Sequence, residues 1–488
     1  MTLFLIFFPL AIALILFAAR TEQAKWIAFA ASLLELAFSL LMLYQFQKNE
    51  TVQFAFNMPW ITSLGLNFSV GLDGISLLLV LLTTVLTPFI ILSSIGNTYH
   101  SPITFYGLIL VMQSALVGVF AARDGLLFYL FWEMALIPIY FICLIWGGEN
   151  RGRITLKFFI YTLAGSLFML IALVYLYLHT PNRTFDILAL YEAGRALPLH
   201  EQNLIFWAMF IAFAIKMPVF PFHTWQPDTY SVAPAQGTML LSGIMLKMGI
   251  YGLIRWLVPV VPLAFQEWGS TVVVLSVVGI IYASAIALVQ KDYKRLIAYS
   301  SIAHVGLISA GLLTWTTIGV QGAMIQMMSH GIIAVGLFFI VDIIFDRTKS
   351  RSLDELGGIR NVAPSLTAVF IIIMLGSVAL PLTSGFVGEF LLINALFQYQ
   401  NIIGAVAGLT IILGAVYMLV AFQRAMSGET NSVTASFVDL SLHEKFVLFP
   451  IVVIVLLMGI FPTPILEISE AAVNNLVLSI NEVLTAGK

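Results

Sequence analysis

Long apolar runs separated by short polar stretches dominate this chain. A helix that crosses hydrocarbon needs about 20 mainly apolar residues. On that criterion the pattern predicts spans at 3–19, 26–45, 72–94, 103–121, 125–146, 154–179, 203–229, 234–256, 268–289, 293–313, 319–345, 363–398, 402–423 and 444–464. The seventh and twelfth are longer than a span requires and are each read as one broken helix. The expected fold is therefore an all-α polytopic membrane protein of about fourteen transmembrane helices. The first run, Met1-Thr-Leu-Phe-Leu-Ile-Phe-Phe8, has no basic stretch ahead of it, so it is expected to be a spanning helix and not a cleaved signal.

Two segments break the pattern. Val52, Phe54 and Phe56 alternate with polar or small residues, and Leu64, Leu66, Phe68 and Val70 do so after Pro59. Two period-2 runs around a turn predict a β-hairpin in the loop 46–70. After Pro464, Leu466, Val473, Leu476, Val477, Ile480 and Leu484 recur at helical spacing, with Glu467, Glu470, Asn474 and Glu482 between them. That spacing predicts an amphipathic surface helix. An ordinary loop and a frayed tail are the alternatives.

Lysine and arginine in the connecting loops set orientation. With the N-terminus outside, the inner side holds fourteen: Arg20, Lys25, Arg151, Arg153, Lys157, Lys291, Lys294, Arg295, Arg347, Lys349, Arg351, Arg360, Arg424 and Lys445. The outer side holds six: Lys48, Arg123, Arg183, Arg195, Arg255 and Lys488. Both termini, the hairpin and the tail helix are thus expected on the outer face. Helices four to eight and nine to thirteen form two blocks of five, and an odd number makes the second enter the membrane in the opposite sense. That is the parity of an inverted repeat, whose ion sites lie near the midplane at discontinuous helices. The expected division is 1–101 (three helices and the hairpin), 102–260 and 261–425 (the two repeats), and 426–488 (the last span and the tail). In each block the fourth helix is interrupted, at Lys216-Met-Pro-Val-Phe-Pro-Phe-His223 and at Leu380-Pro-Leu-Thr-Ser-Gly-Phe-Val-Gly-Glu389. Proline removes a backbone donor and clashes with the preceding turn.

Composition narrows the function. Of 488 residues, 60% are hydrophobic and 9% charged, with a mean hydropathy of +1.02, so most of the surface faces lipid. A net charge of −2 argues against a nucleic-acid partner. The lone Cys143 excludes an internal disulfide and any thiolate-rich metal site. No CxxC, CxxCH, GxGxxG or P-loop signals a cofactor, and none is expected in this chain.

Against that background four charges lie deep in predicted spans: Glu133 in Phe131-Trp-Glu-Met-Ala-Leu-Ile-Pro138, Lys216 at the first break, Lys247 in Ser242-Gly-Ile-Met-Leu-Lys-Met-Gly249, and Glu389 just past the second break. Lys247 falls about 20 Å along its helix, near mid-bilayer. A charge there costs about 2.5–3.5 kcal/mol on insertion scales, so such residues are rare and commonly mark ion paths. A carboxylate favours a charged lysine and burial favours the neutral form. Glu133 beside Lys216 therefore suits a proton switch; static pairs locking helices together are the other reading. His304 and His330 sit in apolar helices between Lys247 and Glu389 in chain order and suit a relay or a hydrogen-bonded core. No His or carboxylate pair at i, i+3 or i, i+4 suggests a metal site there. Asp73 and Glu35 read as helix-end or packing residues. Asp228 either stabilises the break or acts in it, and Lys157 either snorkels or guards proton uptake.

At these residues the chain resembles a known family. Lys216-Met-Pro-Val-Phe-Pro-Phe-His-Thr-Trp-Gln-Pro-Asp228, Ala233-Pro234 and Leu246-Lys247 are similar to the signature of the antiporter-like subunits of respiratory complex I and of Mrp cation/proton antiporters. Phe131-Trp-Glu133, Leu296-Ile-Ala-Tyr-Ser-Ser-Ile-Ala-His-Val-Gly306 and Pro381-Leu-Thr-Ser-Gly-Phe386 extend the resemblance over essentially the whole chain. L- and N-type complex I subunits and Mrp subunits usually carry lysine after the second break, whereas the M type carries glutamate, here Glu389. The chain also stops after a short tail, without the long lateral helix of the L type. The resemblance implies a bacterial inner-membrane subunit of NADH:quinone oxidoreductase that moves protons while quinone chemistry proceeds elsewhere. It implies a Glu133–Lys216 control pair, Lys247 as central carrier, and Glu389 facing the exit or a neighbouring channel. It also implies L- and N-type neighbours and small subunits as partners, clasped by hairpin and tail. Trp225-Gln-Pro-Asp-Thr-Tyr230 departs from the family's Trp-Leu-Pro-Asp-Ala-His, so that position is given no proton role. The alternatives are an Mrp-type Na⁺/H⁺ antiporter subunit and a non-conducting membrane anchor.

Overall fold

A computed structural model describes residues 1–19 and 21–486. Arg20 and Lys488, counted above for orientation, lie outside the described residues. Two helices open the chain, α1 (Thr2–Ala19) and α2 (Ala24–Gln45), followed by strands β1 (Gln53–Ile61) and β2 (Leu66–Leu72). The strands pair antiparallel, with Phe56 opposite Val70 and Met58 opposite Phe68. Gly65 closes the turn at φ +62°, and a side chain there would strike the Arg183 carbonyl, so glycine fits a left-handed position that other residues enter at a cost. The hairpin predicted from alternation is present.

After the hairpin come α3 (Gly74–Ser93), α4 (Pro102–Ala121), α5 (Gly125–Trp146), α6 (Arg151–His179), α7 (Ile187–Ala196), α8 (Leu199–Lys216) and α9 (Gln226–Val232). The eighth span, Ala235–Leu257, is interrupted twice. It runs as α10 (Ala235–Leu240), a π turn (Leu241–Met245), α11 (Lys247–Gly252) and a second π turn (Leu253–Leu257). Then come α12 (Pro262–Val289), α13 (Tyr293–Leu312), α14 (Thr317–Thr348), the short α15 (Ile359–Val362), α16 (Pro364–Ser377), α17 (Ser384–Tyr399), α18 (Asn401–Met426), α19 (Leu442–Ile460) and α20 (Thr463–Ala486). Among the described residues twelve spans are long and apolar enough to cross a membrane. The other two are the broken ones, α8–α9 and α16–α17, which makes the fourteen expected.

Local chemistry sets many of the boundaries. Asp73, Asp124 and Asp292 accept backbone N–H bonds at the starts of α3, α5 and α13, and Ser441 with Glu444 forms a capping box on α19. Asp439 caps α16 from a distant loop, accepting from Ser365 N at 2.9 Å and Leu366 N at 3.0 Å. Burial raises the Asp439 carboxyl, but the N–H groups of Ser365, Leu440 and Leu366 outweigh it and hold the group below its ordinary value. Outward residues such as Leu204 and Ile402 are 72% and 71% exposed, as suits a surface solvated by lipid.

The hairpin, the N-terminus and the tail share one end of the bundle. Thr2 Oγ1 donates to Phe54 O at 2.7 Å, and Lys48 pairs with Glu467 at 2.6 Å. On α20 the buried stripe is Val473, Leu476, Val477 and Ile480, and Leu478 is exposed, so the predicted amphipathic helix is present. Glu35 lies within α2, fully buried with neither carboxylate oxygen partnered, which fits the packing reading and not the helix-end one. Arg255 and Lys294, counted with the loop charges, are buried at 6% and 4% exposure. The surface helix α7 was not predicted, because Ile187–Ala196 is short and only partly apolar.

Candidate functional site

The first break removes helix bonds that other groups replace. Pro218 and Pro221 supply no N–H. Val219 N reaches back to Ala214 O at 2.9 Å, which leaves Ile215 O free, and the Trp225 indole donates to it at 2.9 Å. Such repair is what lets irregular backbone persist at membrane depth. Asp228, in the first turn of α9, accepts from Lys157 at 3.1 Å and Arg295 at 3.2 Å. Asp228 and Lys157 thus anchor the far half of the broken span to α6 and α13.

The charges beside this break are differently placed. Lys216 is 2% exposed, and its ammonium lies 5.1 Å from the centroid of the Trp132 ring, a cation–π contact next door to Glu133. Neither Lys216 Nζ nor Glu133 Oε1 has a hydrogen-bond partner. The expected control pair is a pair of neighbours that are not in contact.

The eighth span shows why Lys247 sits where it does. In the first π turn Leu246 N bonds to Leu241 O at 3.2 Å, one residue further back than in an α-helix. That leaves Ser242 O without its helical donor, and Lys247 Nζ donates to it at 2.6 Å. Lys247 Nζ also lies 2.9 Å from His330 Nδ1 on α14. The bond can be written with ammonium donating to a bare Nδ1, or with Nδ1–H donating to a neutral amine, so one proton has two seats. The His330 and His304 ring centroids are 6.0 Å apart. His304 Nδ1, on α13, is 2.9 Å from Glu389 Oε1 on α17; this is an ion-pair distance and not an aligned hydrogen bond, since both His304 nitrogens lack one. Gln326 Nε2 donates to the same Glu389 oxygen at 3.3 Å. Lys247, His330, His304 and Glu389 are all buried and follow one another from the eighth span to the second break, with the widest step between the two imidazoles.

The second break holds two left-handed non-glycine residues, Ala379 at φ +58° and Leu382 at φ +74°. Both are uncommon conformations that cost free energy. Thr383 Oγ1 donates to Leu380 O at 2.6 Å, and Ser329 Oγ donates to Ser384 Oγ at 2.8 Å. Gly459 of α19 packs on this break, where a side chain would strike the Leu382 carbonyl.

Several buried polar residues escaped the sequence reading. Gln326 and Gln321 are neutral and carry no composition signal; Gln321 Oε1 accepts from Ser469 Oγ of the tail at 3.1 Å. Lys294 donates to Ala233 O at 2.6 Å. Arg255 pairs with Asp73, the expected α3 cap. The π turns had no signal beyond Gly243 and Gly249, which fit an ordinary apolar span equally well.

The chain as a whole has known relatives. Residues 122–414 match the family described as NADH:quinone oxidoreductase/Mrp antiporter, transmembrane region, and the chain belongs to that family. It is 41% identical to NADH-quinone oxidoreductase subunit M of Rickettsia prowazekii, over 97% of this chain and 98% of that one. Among solved structures it is similar to a chain of respiratory complex I from Thermus thermophilus with bound NADH: TM-score 0.90, 29% identity, over 98% of this chain and 100% of that one. It shares its fold with a chain of the Mrp complex from Dietzia sp. DQ12-45-1b: TM-score 0.85, 21% identity, over 99% and 98%.

Proposed function

We propose that this chain is the proton-translocating membrane subunit of a bacterial NADH:quinone oxidoreductase, working only inside that complex. The near full-length similarity to a subunit M and to a complex I chain supports this assignment. Electron transfer and quinone reduction belong to other subunits, and this chain supplies the proton path without a cofactor. The excess of inner-loop lysine and arginine supports an inner-membrane orientation with both termini on the outer face. The two repeats are 102–260 and 261–425, between the N-terminal segment 1–101 and the closing segment 426–488. L- and N-type neighbours and small subunits are its partners. The exposed Met58 and Trp60 of the hairpin, beside α1 and α5, offer them an apolar edge.

The reading is supported by the buried series Lys247, His330, His304 and Glu389, in which Lys247 is hydrogen-bonded to His330 and the two imidazoles lie 6.0 Å apart by ring centroid, with neither His304 nitrogen hydrogen-bonded. Protonated Lys247 gives its proton to His330 Nδ1, which leaves a neutral amine held by Ser242 O. His304 takes the proton next and passes it to Glu389, where Gln326 holds the accepting oxygen. Lys216 sets the timing. Two ammonium groups in one low-dielectric block repel each other. When Lys216 moves toward Glu133 its charge is compensated and Lys247 keeps its proton; when the two separate, the uncompensated charge drives the proton off Lys247.

The shared fold also admits an Mrp-type Na⁺/H⁺ antiporter subunit, and Glu389 in place of the usual lysine argues against it. The test is Lys247→Ala in inverted membrane vesicles, with assembly checked on a native gel. NADH-driven acidification and quinone reduction are expected to fall together in an assembled complex. Both at wild-type levels would favour a non-conducting anchor.

A further inference from the structure

A cavity of about 280 Å³ opens at the hairpin end of the bundle, between the surface helices α7 and α20. Three arginines from three elements line it: Arg123 between α4 and α5, Arg195 in the last turn of α7, and Arg255 in the last turn of the eighth span. Two carboxylates, Asp73 and Glu50, also reach it. Asp73 is taken by Arg255. Among the described residues neither Arg123 nor Arg195 has a carboxylate within ion-pair distance.

These side chains are held in place by their surroundings. The Arg123 backbone is fixed on both sides, donating to Ser69 O at 2.8 Å and accepting from Ile187 N at 3.1 Å. Arg195 Nε donates to Pro259 O at 3.1 Å, and its guanidinium lies 5.5 Å from the Tyr191 ring centroid, which leaves the terminal nitrogens for the cavity. Arg255 Nε is buried without a partner. A buried donor left unmade is costly, and clustered cations repel. An anion with several acceptor oxygens relieves both, and guanidinium forks match phosphate in geometry. The rim is mixed: Leu188 is 58% exposed beside the cavity, while the α20 wall presents the polar Asn475 and Ser479 around the buried Leu476. Charge within, an exposed leucine at the mouth and two surface helices as walls suit a molecule with a phosphate and a hydrocarbon tail.

We propose that this cavity binds the phosphodiester headgroup of an anionic phospholipid, its oxygens on Arg123, Arg195 and Arg255 Nε and an acyl chain over Leu188. The site stands apart from the proton line and does not depend on it. The test uses the intact complex reconstituted in phosphatidylcholine vesicles that contain photoreactive phosphatidylglycerol, with adducts mapped by peptide mass spectrometry. Adducts are expected on the peptides that carry Leu188 or Leu476, reduced about tenfold or more in Arg123→Gln/Arg195→Gln. Should that pair of changes prevent assembly, Ser479→Glu keeps every arginine, places a carboxylate in the cavity wall, and is expected to give the same loss. Equal labelling of wild type and variants, or none in wild type, overturns the proposal. Full competition by inorganic phosphate also overturns it, in favour of a free-phosphate site.

Discussion

The two broken spans solve opposite problems. At the first break the backbone is repaired and the charge is left unpaired: Trp225 and Asp228 tie the chain down, while Lys216 and Glu133 keep atoms without partners. At the second break the charge is partly paired and the backbone is strained: Glu389 Oε1 has His304 and Gln326 while Oε2 has no partner, and Ala379 and Leu382 hold left-handed conformations. An unsatisfied buried charge is unstable with respect to either moving or losing its proton, which is what a switch requires. A partnered carboxylate at the end of a relay is a seat where a proton can rest. Under the proposed function, this contrast places timing at the first break and conduction along the residues that lead to the second.

The largest expected effect breaks this division at the switch. Lys216→Arg keeps the charge and the cation–π contact but cannot lose its proton. Acidification by inverted vesicles should fall roughly tenfold or more in an assembled complex. Pumping at wild-type level would make Lys216 a static pair. A smaller effect tests the backbone repair. Trp225→Phe keeps the ring and removes the donor to Ile215 O, and an unmade buried hydrogen bond costs about 1–3 kcal/mol. The thermal midpoint of the purified complex should drop, while Lys247-dependent pumping at low temperature survives. An unchanged midpoint would mean that water replaces the indole. The smallest effect lies at the second broken span. Asp439→Ala uncaps α16 at about 1 kcal/mol. Because the folded carboxyl lies below its ordinary value, its contribution is present above the unfolded pKa and is lost as pH falls through the folded one. Wild type and variant should therefore converge in stability toward acid, and a gap that widens there would contradict this role.

Much of this was legible in the chain because lipid punishes polarity. Apolar runs gave fourteen spans within a few residues, and the prolines at 218, 221 and 381 marked both breaks. Each of the four deep charges and two histidines announced itself against an apolar background. What escaped was geometry without a composition signal. The π turn that frees Ser242 O lies in a sequence that reads as ordinary helix. Gln326 and Gln321 are neutral, so they did not stand out as Glu389 did. Lys294 and Arg255 lie in the terminal turns of their helices, where position along the chain alone suggests a loop-end charge. The approach of His304 to Glu389 joins residues 85 apart in the numbering and needed the packing of α13 on α17.

The most direct measurement is NADH-driven acidification by inverted vesicles carrying Lys247→Arg in a complex shown to assemble. Arginine preserves the charge and the donors toward Ser242 O and His330 but holds its proton at every working pH. Loss of acidification together with quinone reduction is the expected result, because a carrier has to release what it carries. Pumping that continues at the wild-type rate would contradict proton transfer through Lys247 and leave the buried line as a structural lock.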